Sequence, residues 1–351
     1  MATKPLNTLQ AGRGLAALAV LLYHANLTLS LPKYLGYEVA PVFRSGDSGV
    51  QFFFVLSGFV ILLAHESDIG KPAQLGSFLS KRFRRVYPPL WIVLLLVIPI
   101  FFLHPSFGIG DERKFATIVG AFLIAPIGSN SLLAPEWTLR HEIVFYGVFA
   151  LLLWRRRAGY LVLGLWLLAC AVVPFLHPDP TGLPAFFFAS NHLLFGFGML
   201  VCVIFRRVVL GVGVTWLCAA AGILLYAAAW AAEAYRPALL WNDPAVLFGF
   251  AAALAILGLI SLERAGHLSF PWALTYLGEA SYAVYLIHYP VISLMCKVVA
   301  RNRLWAHGAL CFLTVSVAAL AVGILFHALL EKPVTAYLSG HRKLGTIPTT
   351  G

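Results

Sequence analysis

Residues 13–31 read RGLAALAVLLYHANLTLSL: one arginine, then an apolar stretch broken late by Tyr23, His24 and Asn26. About twenty residues of this kind cross a hydrocarbon core of roughly 30 Å as a helix. With Lys4 ahead of it, the stretch has the outline of a secretory leader. It has no clear small-x-small cleavage site and carries polar residues in its apolar part, so it reads as a retained helix. The same pattern recurs along the chain, giving candidate spans at 14–31, 48–64, 86–104, 115–131, 138–154, 159–176, 185–205, 208–232, 244–262, 273–298 and 304–330. The fold class expected is all-α, a polytopic transmembrane helical bundle.

Composition agrees. Of 351 residues, 60% are hydrophobic and 11% charged, against roughly 25% charged in an average soluble domain. No polar stretch is long enough for a separate soluble domain, and no repeat of 20–50 residues is visible. One transmembrane domain over 1–340 is expected, followed by a short polar tail at 341–351. The net charge of +11 would suggest nucleic acid in a soluble protein. Here Lys and Arg gather between apolar runs, where they set topology and meet anionic lipid head groups, and nucleic acid is set aside. Cys170, Cys202, Cys218, Cys296 and Cys311 lie scattered in apolar runs with no C-x-x-C pair and no metal-ligand spacing. Neither a metal nor a disulfide is expected.

The basic clusters test the number of spans. Lys81 to Arg85, Arg155 to Arg157, Arg206-Arg207 and the tail with Lys332, Arg342 and Lys343 should share the cytoplasmic side. If all eleven candidates crossed, the second cluster would fall opposite the first. The weakest candidate is 115–131, cut at Pro126 after about a dozen apolar residues, a length suited to a re-entrant or interfacial segment. Ten spans with both termini cytoplasmic are therefore expected. Lys297, Arg301 and Arg303 then face the other side, against the rule.

Ionisable groups within spans are expensive, so each is a candidate site residue. Arg13 and His24 lie eleven positions apart, ~16 Å along a helix and ~20° from one azimuth, so they share a face. The plainer reading is a topology arginine and a histidine bonded to a backbone carbonyl. In GDSGVQFFFVLSGFVI, residues 46–61, Asp47 is at the edge and Ser57 inside; Asp47 could be a solvated cap, and Ser57 could bond a carbonyl one turn back. In KRFRRVYPP, residues 81–89, Arg82 and Arg85 share a helical face whose guanidinium forks match phosphate geometry. Positive-inside topology explains the same charge. In EWTLRHEIVFY, residues 136–146, Glu142 needs a partner such as Arg140, His141 or His24, unless it snorkels outward. In LGEASYAVYLIHYP, residues 277–290, Glu279 and His288 are about 180° out of phase on one helix and cannot face one site unless the helix bends.

Taken in order, RGLAALAVLLYH, GVQFFFVLSGF, RFRRVYPPLW, WTLRHEIVFY, LGEASYAVYLIHYP and the closing LEKP resemble the acyltransferase-3 family of bacterial membrane proteins, from residue 7 to about 333. The resemblance implies acylation of sugars in surface polysaccharides or of natural products, in the bacterial cytoplasmic (inner) membrane. The family's arginine, ten residues, then histidine pattern falls on Arg13 and His24, its basic pair on Arg82 and Arg85, and the acid of its W-[ST]-L-x-x-E pattern on Glu142. Gln51 stands where an acid often follows Gly-Val, and Thr138 replaces the commoner serine. No segment resembles the extra periplasmic domain of some members, so any second transfer step is expected to need a partner.

Acyl transfer to an alcohol requires a base, a stabiliser of carbonyl charge and a donor site. The residues expected to supply them are His24, Asp47 and Glu142 as the catalytic set, with Arg13, Ser57, Arg82, Arg85 and His288 binding substrate. His24 is the base, its tautomer held by Asp47 or Glu142; a variant makes it an acyl-carrying nucleophile. Arg82 and Arg85 hold coenzyme phosphates, and Arg13 helps with the donor or polarises the thioester carbonyl. The partners expected are acyl-CoA, acetyl-CoA first, as co-substrate with no tightly bound cofactor, a carbohydrate or other hydroxyl acceptor, and membrane lipids. The alternative function is a transporter or flippase for a lipid-linked glycan, although no paired broken helices mark two halves.

Overall fold

Helix dominates because apolar runs of this length can satisfy their backbone only internally once inside lipid. The computed structural model describes residues 6–104, 110–126, 131–176, 181–240, 243–301 and 307–340. Its helices are α1 (Asn7–Leu29), α2 (Gly49–His65), α3 (Leu75–Leu103), α4 (Phe115–Leu123), α5 (Glu136–Trp154), α6 (Arg156–Leu176), α7 (Gly182–Phe187), α8 (Asn191–Arg207), α9 (Val212–Tyr235), α10 (Ala245–Arg264), α11 (Trp272–Arg301), α12 (Gly308–Phe326) and α13 (Lys332–Leu338). No strand occurs among the described residues. The expected tail at 341–351, and Arg303 with it, lies outside them.

Ten of these helices run to 17 residues or more. Eight segments are long and apolar enough to cross a membrane. The other two long helices, α1 and α5, carry Arg13 and His24 in one case and Glu136, Arg140 and Glu142 in the other. Both line the bundle's interior, so their polar residues face protein rather than lipid.

The short segment is α4, nine residues, or ~14 Å at 1.5 Å per residue, less than half of a hydrocarbon core. Ile124 ends it in a left-handed turn with φ of 52°, two residues before Pro126. Its last carbonyls are capped from α3: Trp91 donates to the carbonyl of Phe122 at 2.9 Å and Tyr87 to that of Leu123 at 3.2 Å. The segment docks on a spanning helix instead of crossing.

The parity of the bundle can be read from the contact between α1 and α11. A Cβ on Gly278 would collide with the carbonyl of Gln10, and one on Gly14 would press on the backbone nitrogen of Gly278 at 3.0 Å, so the two backbones cross there with nothing between them. Ten residues further along each chain, His24 and His288 are in hydrogen-bond contact. Helices meeting at both levels run parallel. Parallel packing fits α11 as an odd-numbered crossing, the ninth when α1 and α5 cross and α4 stays out of the count.

The basic clusters also converge. The link after α2 places Glu66 against Arg206 and Arg207 at 3.0 and 3.3 Å. Gly70 in the same link packs on the side chain of Arg156, and its N–H donates to the carbonyl of Leu152 at 2.9 Å. Three clusters, those of α3, α6 and α8, thus gather at one end of the bundle.

Overfilling a close backbone crossing costs about 1–3 kcal/mol. Gly278→Ala is therefore expected to lower the melting temperature of the detergent-solubilised protein, measured by thermal unfolding, more than Gly213→Ala, where an added methyl meets open space.

Candidate active site

The parallel pairing of α1 and α11 brings two buried imidazoles together, and their partners fix their tautomers. His288 is 1% exposed and its Nδ1 lies 2.7 Å from the carbonyl of Tyr285. A carbonyl only accepts, so Nδ1 of His288 carries the proton and its Nε2 holds a lone pair. His24 Nδ1 lies 2.9 Å from the carbonyl of Val20 and 3.2 Å from Nε2 of His288. Both neighbours are acceptors, so Nδ1 of His24 is the donor to both. In the neutral ring the remaining nitrogen, Nε2 of His24, then holds the lone pair.

His24 and His288 line a cavity of about 140 Å³ together with Tyr23, Asp47, Trp137 and Tyr285. Asp47 comes from the 3-10 turn Pro41–Ser48 that leads into α2. It shares the cavity with His24, but the ring donates its hydrogen bond to the carbonyl of Val20 and to His288. The tautomer-holding role assigned to a carboxylate thus falls to a backbone carbonyl and a second histidine. Glu279, nine residues before His288, is exposed on the far side of α11, as their helical phase requires.

A second cavity, about 70 Å³, is lined by Arg13, Ser57, Arg85, Glu142, Tyr282 and Tyr285 among others. Glu142 accepts from the hydroxyl of Tyr146 one turn on, and from Ser57 at 3.3 Å. Ser57 can reach because its neighbour Gly58 lets α2 lie directly on the backbone of Phe195 in α8. Arg13 and Arg85 make no hydrogen bond or ion pair with a described residue. Two guanidinium groups thus share this cavity with the carboxylate of Glu142.

Arg82 and Arg85 separate despite their common helix. Nη2 of Arg82 lies 3.3 Å from Nε2 of His65, whose Nδ1 is bonded to Asp68 at 2.8 Å. The Arg82 guanidinium also sits 5.9 Å from the ring of Tyr146. Arg82 therefore touches the site through Tyr146, whereas Arg85 lines it. Beyond Arg85 the α3 chain runs on through Pro88 and Pro89, and Tyr282 donates to the carbonyl of Val86 at 2.8 Å.

The eight expected residues thus divide: His24, Asp47 and His288 around one cavity, Arg13, Ser57, Arg85 and Glu142 around the other, and Arg82 behind the second. Sequence reasoning missed Tyr282 and Tyr285, which read as core aromatics, and the partner of Thr138. Thr138 donates to the carbonyl of Pro135 and meets the phenol of Tyr285, both at 2.8 Å. The closing LEKP ends a π-turn, His327–Glu331, in which Glu331 is bonded to His327 at 2.7 Å; π-turns are frequent at functional sites. Among the described residues no cluster of three metal-ligating side chains occurs.

Residues 6–328 match the family defined by an acyltransferase domain. The chain belongs to the acyltransferase-3 family. This acyltransferase is 28% identical over 83% of its length, and 90% of the relative's, to the exopolysaccharide production protein ExoZ of Rhizobium meliloti. It is 29% identical to the acyltransferase MdmB of Streptomyces mycarofaciens over 98% of its length and 95% of that protein's. To the peptidoglycan O-acetyltransferase OatA of Listeria monocytogenes it is 26% identical over 84% of its length, spanning half of that longer protein. No solved structure matches the chain.

In the acyltransferase, loss of His288 leaves the Val20 carbonyl still holding His24. Removing one of two orienting partners should cost less than removing the ring they hold, so His288→Ala is expected to lower kcat about ten-fold, or about 1.4 kcal/mol of barrier, in steady-state assays. Loss of His24 should cost at least ten times more.

Proposed function

We propose that the acyltransferase moves an acyl group, acetyl in the first instance, from an acyl-CoA bound on the Arg13 side to a hydroxyl of a carbohydrate or natural product bound on the His24 side. The observation that carries this reading is the arrangement of two cavities that share Val50 and Tyr285: two guanidinium groups in the first, and in the second an imidazole whose Nδ1 is engaged by a carbonyl and a second histidine. The first suits an anionic donor and the second an alcohol that must lose a proton.

Each residue then has a task. Arg85 binds a coenzyme phosphate, and Arg82 supports it by packing on Tyr146 and by placing a second positive charge at the entrance. Arg13 faces the donor deeper in the cavity. Ser57 and Tyr146 hold Glu142, whose carboxylate neutralises the guanidinium groups when no donor is present. In the other cavity Asp47 accepts hydrogen bonds from acceptor hydroxyls and Trp137 offers a flat face to a sugar ring. Nε2 of His24 takes the proton of the attacking hydroxyl. The end where the basic clusters gather is the cytoplasmic one by the positive-inside rule, which puts both termini and the coenzyme in the cytoplasm of a bacterial cell and the acceptor toward the opposite face of its inner membrane.

Thiol release from acetyl-CoA by the purified protein, with and without candidate acceptors, tests the reading. His24→Gln is expected to lower kcat by about 10²–10⁴, the usual contribution of a general base. Arg85→Ala is expected to raise the KM for acetyl-CoA about ten-fold with little change in the acceptor KM. Transbilayer movement of a glycan lipid with no thiol release, or a folded His24→Gln protein with normal turnover, would sink the assignment. An acetyl group retained on the protein in the absence of acceptor would replace direct transfer by a covalent route through His24.

A further inference from the structure

Two compartments holding donor and acceptor are useful only where they touch. Of the residues around them, Val50 and Tyr285 line both cavities. Val50 is apolar, so at the junction the polar group is the phenol of Tyr285. We propose that this phenol is a catalytic group that donates a hydrogen bond to the thioester carbonyl oxygen as it becomes an oxyanion, with Thr138 holding it in readiness. The inference rests on the acyl-transfer reading above and adds to it a hydrogen-bond donor to the oxyanion from the residue that lines both cavities.

The hydrogen bonds support this use of the phenol. Tyr285 is 8% exposed, and its hydroxyl lies 2.8 Å from Oγ1 of Thr138. Thr138 spends its own proton on the carbonyl of Pro135 at 2.8 Å, so in their shared bond Tyr285 is the donor. Its proton therefore rests on a neutral hydroxyl oxygen. A carbonyl oxygen gaining negative charge is a stronger acceptor than a hydroxyl, and draws the same proton without any backbone movement. The backbone of this residue also serves the base: the carbonyl of Tyr285 accepts from Nδ1 of His288, and His288 in turn accepts from His24. One residue of α11 thus sets the oxyanion donor by its side chain and the orientation of the base by its main chain.

The step balances as follows. The acceptor oxygen attacks the thioester carbon while Nε2 of His24 takes its proton; a C–O bond forms and the carbonyl π pair moves onto oxygen, where Tyr285 donates. Collapse re-forms the carbonyl and breaks the C–S bond, and the thiolate takes the proton from the His24 imidazolium. The products are the ester, the free thiol of coenzyme A, and the enzyme in its starting protonation state.

Tyr285→Phe keeps the ring that forms the wall and removes only the donor. Thiol release from acetyl-CoA with acceptor is expected to fall about 10²–10³ in kcat, as for loss of an oxyanion donor elsewhere, with both KM values within about two-fold and the melting temperature unchanged. Thr138→Val, which leaves Tyr285 in place but frees its hydroxyl to turn away, is expected to slow kcat about ten-fold, and Thr138→Ser to restore it. A Phe variant that turns over at the wild-type rate, or loses activity only through KM, overturns the inference. If the Phe variant fails to fold, the Thr138 pair decides: a Val variant at full rate overturns it, and a slow Val variant rescued by Ser upholds it. Wild-type protein that releases no thiol would overturn the acyl-transfer reading itself, whereas an enzyme inactivated by His24→Gln and indifferent to Tyr285→Phe overturns this inference alone.

Discussion

A neutral imidazole buried in a bilayer must place its one N–H on an acceptor supplied by the protein, because no water is there to take it. His24 does so on the carbonyl of Val20, one turn back on its own helix, and shares that proton with His288. The arrangement commits the rest of the bundle. His288 can reach His24 only if α11 lies against α1 without side chains between them, and the crossing of Gly14 and Gly278 removes those side chains. The pairing must also be parallel, which fits α11 as an odd-numbered crossing with α4 out of the count. The free lone pair on Nε2 of His24 is what remains after these requirements are met.

Several of the remaining charges follow the same economy. Glu136 pairs with Arg140, Glu66 with Arg206 and Arg207, and Glu142 with two hydroxyl donors. Each ion or acceptor is matched close at hand, as the cost of an unmatched charge away from water demands. Arg13 and Arg85 line one cavity with Glu142 and make no direct hydrogen bond with it, whereas Arg82 is engaged by His65.

The wall between the two cavities separates charge from acid–base chemistry. A thioester approaching from the arginine side meets apolar side chains and the phenol of Tyr285 before it meets an imidazole. On the proposed reading, phosphates would stay away from the histidine pair, where their charge would favour protonation of the imidazole. The order of groups along α1, arginine near one end and histidine some ten residues on, matches the order in which the donor's phosphates and its reacting carbon would lie.

Spans, charge clusters and the weak segment at 115–131 were legible in the chain because they depend on length and polarity, properties that lipid tests locally, residue by residue. The Arg13 and His24 pair was legible for the same reason, as a charge and an imidazole inside an apolar run, and so was the opposite phase of Glu279 and His288. Partnership was not. Asp47 and Glu142 looked like the natural holders of His24, yet one only shares its cavity and the other lies in the next, since a carbonyl and a histidine 264 positions away satisfy the ring first. Arg82 and Arg85 looked equivalent at three residues apart, until His65 claimed one. Tyr285 carries no mark in an aromatic run; its importance comes from lying where two cavities meet. The sequence by itself determined that this protein is a membrane-spanning bundle with costly ionisable residues inside it, because hydrophobic partition is a local property. Only the tertiary structure decided which of those residues face each other, because hydrogen-bond partners are chosen by the crossing of helices far apart in the chain.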